Sequence, residues 1–361
     1  MRQAVFVPCS NGVMRQGKKQ SYGSLQAGRG IAAILVVIFH TASFVGGNSK
    51  YWHREWLARG LAGLALGVEY FFVLSGAVIL LAHMDDIGRP ATLPSYLWKR
   101  FRRVYPIYWI VLTALIFGYK LRPGIGAEYL THPWAVVSGY LLVYVHTPAL
   151  NVTILPVAWT LFHEVLFYAV FILFLIGRKI GLAGLALWCA LSIVSLVHPW
   201  GLYYALYLFS PLHLLFAEGM LVAWLLRREK VRGATAFLAT GACVFLVAMV
   251  LAGMAGVISD GVALIAGAGA AFLVLGAARL EEQGKLVVSG GLRFMGDASY
   301  SIYLIHYPFF MFMAPVAYKL WLRFPVPIAV PFVLLTLSAI AVGSAMHVYV
   351  ERPLLKRLRA R

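Results

Sequence analysis

The sequence is poor in charged residues, and acidic residues are especially scarce. Only 12% of its 361 residues are Asp, Glu, Lys or Arg, and 13 acidic residues stand against 31 basic ones. Soluble domains carry about 25% charged residues. This low value, together with 61% hydrophobic residues and a mean hydropathy of +0.82, excludes a soluble globular protein and indicates a polytopic membrane protein. The expected fold class is all-α, with about ten transmembrane helices around an intramembrane tunnel.

Cysteine is also rare, with only Cys9, Cys189 and Cys243 present. Their scattered positions lack C-x-x-C or metal-ligand spacing, which argues against a disulfide framework, a zinc site or a cysteine nucleophile. We therefore expect neither a metal site nor a tightly bound cofactor. The formal charge of +18 does not require nucleic acid as a partner, because attraction to anionic lipid headgroups and membrane orientation account for most of the basic loops.

The N-terminal stretch is polar and basic and is followed by a hydrophobic run. No small-residue cleavage pattern follows that run, so we expect the first segment to stay as a membrane anchor. The predicted organisation is a basic N-terminal segment over 1–23, a membrane domain over 24–352 and a basic tail over 353–361.

Ten apolar runs are long enough to cross about 30 Å of hydrocarbon. An eleventh run, over 134–146, is short and ambiguous. The ten predicted spans lie near residues 25–45, 61–83, 105–119, 159–176, 180–197, 203–226, 233–251, 258–279, 298–318 and 326–350.

The basic residues decide the orientation, provided that 134–146 does not cross. In that topology, 24 of the 31 Lys and Arg residues share one side with both termini, and the positive-inside rule makes that side the cytoplasm. If 134–146 crossed, the basic loops of the second half would lie outside. The remaining basic residues are Lys50, Arg54, Arg59, Lys120, Arg122, Lys319 and Arg323.

The first span, GRGIAAILVVIFH, carries Arg29 and His40. Eleven steps of about 100° make about three turns, so both side chains share one helix face roughly 16 Å apart along the axis. Ionisable groups inside a span are candidates for function. The structural alternative is an arginine that reaches the membrane surface and a histidine packed between helices.

A dense basic cluster precedes the third span in KRFRRVYPIYW, where Lys99, Arg100, Arg102 and Arg103 fall within five positions. Arginine forks match phosphate oxygens better than lysine does, which favours a phosphorylated ligand. Arg29 begins its span on the same side, so Arg29, Arg100 and Arg103 are expected to converge on one anionic group. A lipid headgroup is an equally suitable partner.

Several other polar side chains fall within apolar segments. PVAWTLFHEVLFY places Glu164 at about the predicted depth of His40, where a carboxylate could fix the imidazole tautomer of a general base. Glu69 lies at a similar level. We consider Glu69, Trp159, Tyr303 and His306 candidates for lining the tunnel or the acceptor cleft. Interhelical hydrogen bonding is the alternative role for these side chains.

Taken in order, six motifs make the chain resemble the integral-membrane acyltransferase family 3, and within it the stand-alone enzymes that O-acetylate bacterial exopolysaccharides. The motifs are LQAGRGIAAILVVIFH, FFVLSG, the arginine pair leading into VYPIYW, WTLFHEVLFY, ASYSIYLIHYP and the closing YVERP.

The resemblance implies a protein of the bacterial inner membrane that transfers an acyl group, usually acetyl from cytoplasmic acetyl-CoA, to a sugar hydroxyl. It implies that Arg29, His40, Arg100 and Arg103 are required for activity, and it implicates Glu164. The chain departs from the family pattern at Glu69, where aspartate is common, and in FAEGM, so no role is carried to Glu218.

Residues and resemblance together give a working hypothesis. The phosphates of a short acyl-CoA lie at Arg29, Arg100 and Arg103, and the pantetheine arm extends to His40. His40 acts as general base, oriented by Glu164, toward a glycan or lipid-linked oligosaccharide acceptor. An acyl-histidine intermediate is the mechanistic alternative. A secondary transporter or a lipid-linked sugar flippase is the rival class, although no internal repeat relates two halves of the chain.

Overall fold

The computed structural model describes residues 22–47, 50–122, 130–144, 153–198, 207–228 and 232–359. Every regular element in these ranges is helical and none is a strand, which confirms the all-α prediction. Most of the predicted N-terminal segment (1–21), residues 203–206 of the predicted sixth span, residues 145 and 146, and the last two residues of the tail lie outside the described ranges.

Thirteen α-helices are present in the described part of the chain, joined by short 3₁₀ turns and by π-helical turns at Ser43–Gly47 and His347–Glu351. They are α1 (Gly23–Ala42), α2 (Glu55–Gly60), α3 (Gly67–His83), α4 (Leu93–Leu121), α5 (Pro133–Leu141), α6 (Trp159–Ile176), α7 (Arg178–Val197), α8 (His213–Arg228), α9 (Ala234–Ala255), α10 (Asp260–Glu282), α11 (Gly290–Arg323), α12 (Ala329–Met346) and α13 (Arg352–Arg359).

Nine helical stretches within the described ranges are long and apolar enough to cross a membrane. They match nine of the ten predicted spans, so the chain is a multi-pass membrane protein. The remaining predicted span, 203–226, overlaps α8. This helix has 16 residues, or about 24 Å at 1.5 Å per residue.

In the described part of the ambiguous segment 134–146, residues 134–141 belong to the nine-residue helix α5. At about 14 Å it is too short to cross the hydrocarbon by itself. It lies against α4, where the Tyr108 hydroxyl donates to the Gly139 carbonyl at 2.7 Å and Trp109 Nε1 donates to the Tyr140 carbonyl at 2.8 Å. This agrees with the predicted topology, in which the segment is an internal or interfacial addition to the bundle.

The start of α1 is fixed by the end of α10. The Glu281 carboxylate accepts hydrogen bonds from the backbone N–H groups of Gly23 and Ser24, both at 2.8 Å. The Tyr22 hydroxyl donates to Glu282 at 2.5 Å. The Glu281 carboxylate satisfies N–H donors that a helix N-terminus otherwise leaves unpaired. The negative charges of both carboxylates also interact favourably with the positive end of the α1 dipole. We call this end of the bundle, where α1 begins and α10 ends, the basic end, because the side of the predicted topology to which it belongs carries most of the Lys and Arg residues.

Glycine allows the central helices to approach closely. A Cβ atom at Gly219 of α8 would lie 1.8 Å from the Val73 carbonyl oxygen of α3, and one at Gly296 of α11 would lie 2.0 Å from the Gln26 carbonyl oxygen of α1. No side chain fits at either contact. Lipid provides little hydrophobic drive for helix association, so small residues at interfaces supply close packing instead. These contacts set the rotation of α1, α3 and α11 around the site.

Candidate active site

A cavity of about 80 Å³ lies among α1, α3, α4, α6 and α11. Arg29, Arg100 and Arg103 all line it, so the structure brings together the three arginines that the sequence suggested would converge. The other polar residues on its wall are Ser75, Thr160, Glu164, Tyr168, Ser299, Tyr300 and Tyr303.

The cavity is electropositive. Three guanidinium groups and one carboxylate line it, which leaves an excess of two positive charges. The Glu164 carboxylate accepts hydrogen bonds from the Tyr168 hydroxyl and, at 3.4 Å, from the Ser75 hydroxyl. Three guanidinium groups beside one carboxylate are compensated best by an anion with several oxygens, such as a phosphate.

The arginines differ in how they are held. Nη2 of Arg100 lies 3.2 Å from Nε2 of His83, and its guanidinium carbon lies 5.8 Å and 5.5 Å from the ring centroids of Tyr96 and Tyr168. Arg29 and Arg103, in contrast, make no hydrogen bond or ion pair with the described residues. Their donors are therefore available to a ligand in the cavity.

Glu164 lies with the arginines and does not contact His40. Its hydrogen-bond partners are Ser75 and Tyr168, whereas His40 contacts Val36 and His306. The structure therefore does not form the predicted contact between Glu164 and His40. The sequence argument used depth in the membrane, but rotation of α6 points Glu164 toward α3 and toward Tyr168 one turn along its own helix.

His40 instead pairs with His306 of α11. Nδ1 of His40 lies 3.1 Å from Nε2 of His306, and Nδ1 of His306 lies 3.1 Å from the Ile302 carbonyl oxygen. A carbonyl oxygen only accepts, so this contact places the proton of neutral His306 on Nδ1 and leaves its Nε2 as an acceptor.

The same argument fixes the tautomer of His40. Its Nδ1 lies 3.0 Å from the Val36 carbonyl oxygen as well as close to His306, and both partners accept. Nδ1 of His40 therefore carries the proton, and Nε2 keeps its lone pair. His306 is fully buried, while His40 keeps partial exposure. A neutral imidazole with an unprotonated Nε2 is the form that a general base requires.

The cavity does not extend to His40. The hydroxyl of Tyr303, which lines the cavity, lies 3.0 Å from Thr160 Oγ1. The Tyr303 ring lies 5.7 Å from the His306 ring and 6.0 Å from the Phe71 ring. Phe71 and Tyr303 thus border the cavity on the side nearest the histidine pair. The lining of this cavity therefore does not connect the arginines to His40.

The other candidates lie outside the cavity lining. Glu69 is only 4% exposed, and its Oε2 has no hydrogen-bond partner among the described residues. Trp159 is 40% exposed and packs edge-on against His163. No group of three His, Cys, Asp or Glu side chains is placed to hold a metal ion within the described ranges.

Several residues of the site were missed by the sequence analysis. Tyr168 could have been found, because it lies one helical turn after Glu164 and so shares its face. Tyr300, whose hydroxyl donates to the Val104 carbonyl at 2.7 Å, and His83 gave no comparable signal. Their roles depend on contacts between helices that are distant in sequence.

A protein family and a known protein are similar to this chain over most of its length. An acyltransferase domain model matches residues 22–347. The chain is 32% identical over 309 residues to the exopolysaccharide production protein ExoZ of Rhizobium meliloti (strain 1021), a match that covers 82% of this chain and 91% of the relative. No solved structure matches the chain.

Proposed function

The chain belongs to the membrane acyltransferase family whose domain spans most of its length, and we propose that it moves a short acyl group from acyl-CoA to a glycan. The acyl group is acetyl or a similar one, and the acceptor is a sugar hydroxyl of an exopolysaccharide or of its lipid-linked precursor. The observation that carries this proposal is the juxtaposition of three arginines in one cavity of a membrane acyltransferase.

The charge of the cavity supports the donor assignment. Acyl-CoA is rich in phosphate, and arginine forks bind phosphate oxygens through paired hydrogen bonds. The positive-inside rule assigns the basic end to the cytoplasm, where acyl-CoA is made, and we propose that the protein lies in the bacterial inner membrane. A volume of about 80 Å³ holds about five to eight water molecules. It suits one phosphate or the acyl end of the donor, and the rest of the donor extends beyond it.

His40 is the proposed general base. Its Nε2 takes the proton from the acceptor hydroxyl while the hydroxyl oxygen attacks the thioester carbonyl. The C–S bond then breaks, and the leaving thiolate takes the proton back from His40, so that the products are the ester and free CoA. General-base catalysis of this kind contributes about 10²- to 10⁴-fold. No acyl-enzyme is needed, because acceptor and thioester meet at the same imidazole.

His306 replaces Glu164 in this mechanism. By accepting from Nδ1 of His40, it keeps Nε2 free before the reaction and stabilises the imidazolium during it. Glu164 belongs instead to the arginine site, where its negative charge offsets part of the repulsion between the guanidinium groups before the donor binds.

The thioester must pass Tyr303 and Phe71 to reach His40. The axial rise from Arg29 to His40, roughly 16 Å, is of the same order as the extended pantetheine arm. We propose that donor binding moves these two side chains aside and so opens the path only when donor is present. This would limit hydrolysis of the thioester by water.

The alternative class is a secondary transporter of an organic anion or a flippase of a lipid-linked sugar. Radiolabelled acetyl-CoA distinguishes it from an enzyme. The purified protein in proteoliposomes, supplied with exopolysaccharide or its lipid-linked repeat unit, should transfer label to the glycan. Movement of label or glycan across the bilayer with no labelled glycan would refute the transferase proposal.

A further inference from the structure

Arg100 is the last of three side chains joined by hydrogen bonds, and the other two, His83 and Asp86, lie outside the cavity lining. Nη2 of Arg100 is 3.2 Å from Nε2 of His83, and Nδ1 of His83 is 2.7 Å from Oδ2 of Asp86. His83 is the last residue of α3, and Asp86 ends the turn that follows it. Neither residue lines the cavity.

The hydrogen-bond donors and acceptors among these three side chains can be assigned without ambiguity. A guanidinium group has only donors, so Nε2 of His83 accepts from Arg100. In neutral His83 the proton is then on Nδ1, from which it is donated to the Asp86 carboxylate. Asp86 thus selects the tautomer of His83 that can accept from Arg100. With the proton on Nε2, two donors would face each other and the contact would be lost.

Burial and aromatic packing make this arrangement specific. His83 is 2% exposed and its ring packs edge-on against Tyr96, 5.0 Å between centroids. The hydroxyl of Tyr96 donates to the Tyr168 carbonyl at 2.9 Å, and both tyrosine rings flank the Arg100 guanidinium. Since α3, α4 and α6 all contribute, the guanidinium is fixed before any ligand binds.

We propose that His83 and Asp86 are positioning residues for the donor site, which hold the Arg100 fork toward an anionic phosphate group in the cavity. The inference rests on the proposed function, because it takes acyl-CoA as the source of that phosphate. Preorganisation of a binding group raises affinity, since less freedom is lost when the ligand binds. Asp86 should therefore affect donor affinity although it does not touch the donor.

The test is calorimetric titration of CoA into the full chain in nanodiscs. Asp86→Ala should weaken CoA binding by about tenfold, the effect of losing a hydrogen bond to a charged group. The same variant should raise the KM for acetyl-CoA more than it lowers kcat. Asp85→Ala is the matched control, because Asp85 lies in the same turn, is 85% exposed and makes only a 3.9 Å surface pair with Arg227. It should bind CoA within about twofold of wild type.

A second pair of variants tests the tautomer argument. In His83→Gln the amide oxygen can accept from Arg100 whether or not a carboxylate is nearby, so this variant should keep most of the affinity. In that background Asp86→Ala should cost less than about twofold, because no tautomer remains to be selected. This comparison also remains informative if Asp86→Ala alone fails to fold.

The outcomes separate the two proposals. If the wild type does not bind CoA, the proposed function is wrong in its donor and this inference fails with it. If the wild type binds CoA but Asp86→Ala behaves like Asp85→Ala, the function stands and the positioning role is overturned. The role is equally overturned if Asp86→Ala costs as much in the His83→Gln background as in the wild type.

Discussion

Nδ1 of His40 and Nε2 of His306 lie 3.1 Å apart, and they join the first membrane helix to one that begins more than 260 residues later. The proposed base of this acyltransferase is therefore oriented by a neutral imidazole and not by a carboxylate. Backbone carbonyls at Val36 and Ile302 fix the protons of both rings. Because Nδ1 of His40 carries the proton, its Nε2 is unprotonated and keeps a free lone pair.

His306 should matter for the chemical step. His306→Ala removes one of the two acceptors at Nδ1 of His40 and leaves only the Val36 carbonyl. Because the imidazolium that forms during the reaction loses the stabilisation by His306, kcat should fall about 10- to 100-fold while CoA affinity stays within about twofold. His306→Gln, whose amide oxygen can accept, should recover part of the loss. Steady-state kinetics with acetyl-CoA check this prediction, and an unchanged kcat in His306→Ala would contradict it.

The arginine forks should matter for donor binding. Arg103→Lys retains the charge but loses the paired donors, so the KM for acetyl-CoA should rise about tenfold with a smaller change in kcat. Arg102→Lys is the control, because it makes the same substitution on the same helix at a residue that does not line the cavity. Equal KM values for the two variants would argue against a phosphate at Arg103.

Glu164 should affect the donor site and leave the titration of the base unchanged. Glu164→Gln removes the one carboxylate of the cavity lining, so its excess positive charge rises and CoA should bind at least as tightly as in the wild type. Because Glu164 makes no contact with His40, the pH profile of kcat should keep its midpoint. A midpoint displaced by about one pH unit would restore Glu164 as the partner of His40.

Close packing of α3 on α8 should be essential for stability. Gly219→Ala would place a methyl group 1.8 Å from the Val73 carbonyl oxygen, and such overpacking costs about 1–3 kcal/mol or more. Gly261→Ala is the control, since no atom lies within 4 Å of a Cβ atom there. Thermal unfolding in detergent should show a lower midpoint for Gly219→Ala alone. Equal midpoints would mean that the helices can separate without loss.

The sequence predicted what depends on position along a helix. Hydropathy located nine spans, although α4 begins at Leu93, well before the predicted start at residue 105. Because Arg29, Arg100 and Arg103 were predicted at the same end of their spans, the sequence also indicated that they could meet. The sequence did not predict the rotation of each helix about its axis. This rotation is set by contacts such as that of Gly219 with Val73, which link distant parts of the chain. For this reason depth alone paired Glu164 with His40, and neither His306 as the partner nor Tyr303 as the barrier was anticipated.

The most direct test of the account is the rate of acetyl transfer by His40→Gln at saturating acetyl-CoA, measured on protein that binds CoA as tightly as the wild type. Because glutamine cannot accept the hydroxyl proton, we predict a rate at least about 100-fold lower than that of the wild type. A rate close to that of the wild type would contradict His40 as the base and, with it, the proposed mechanism.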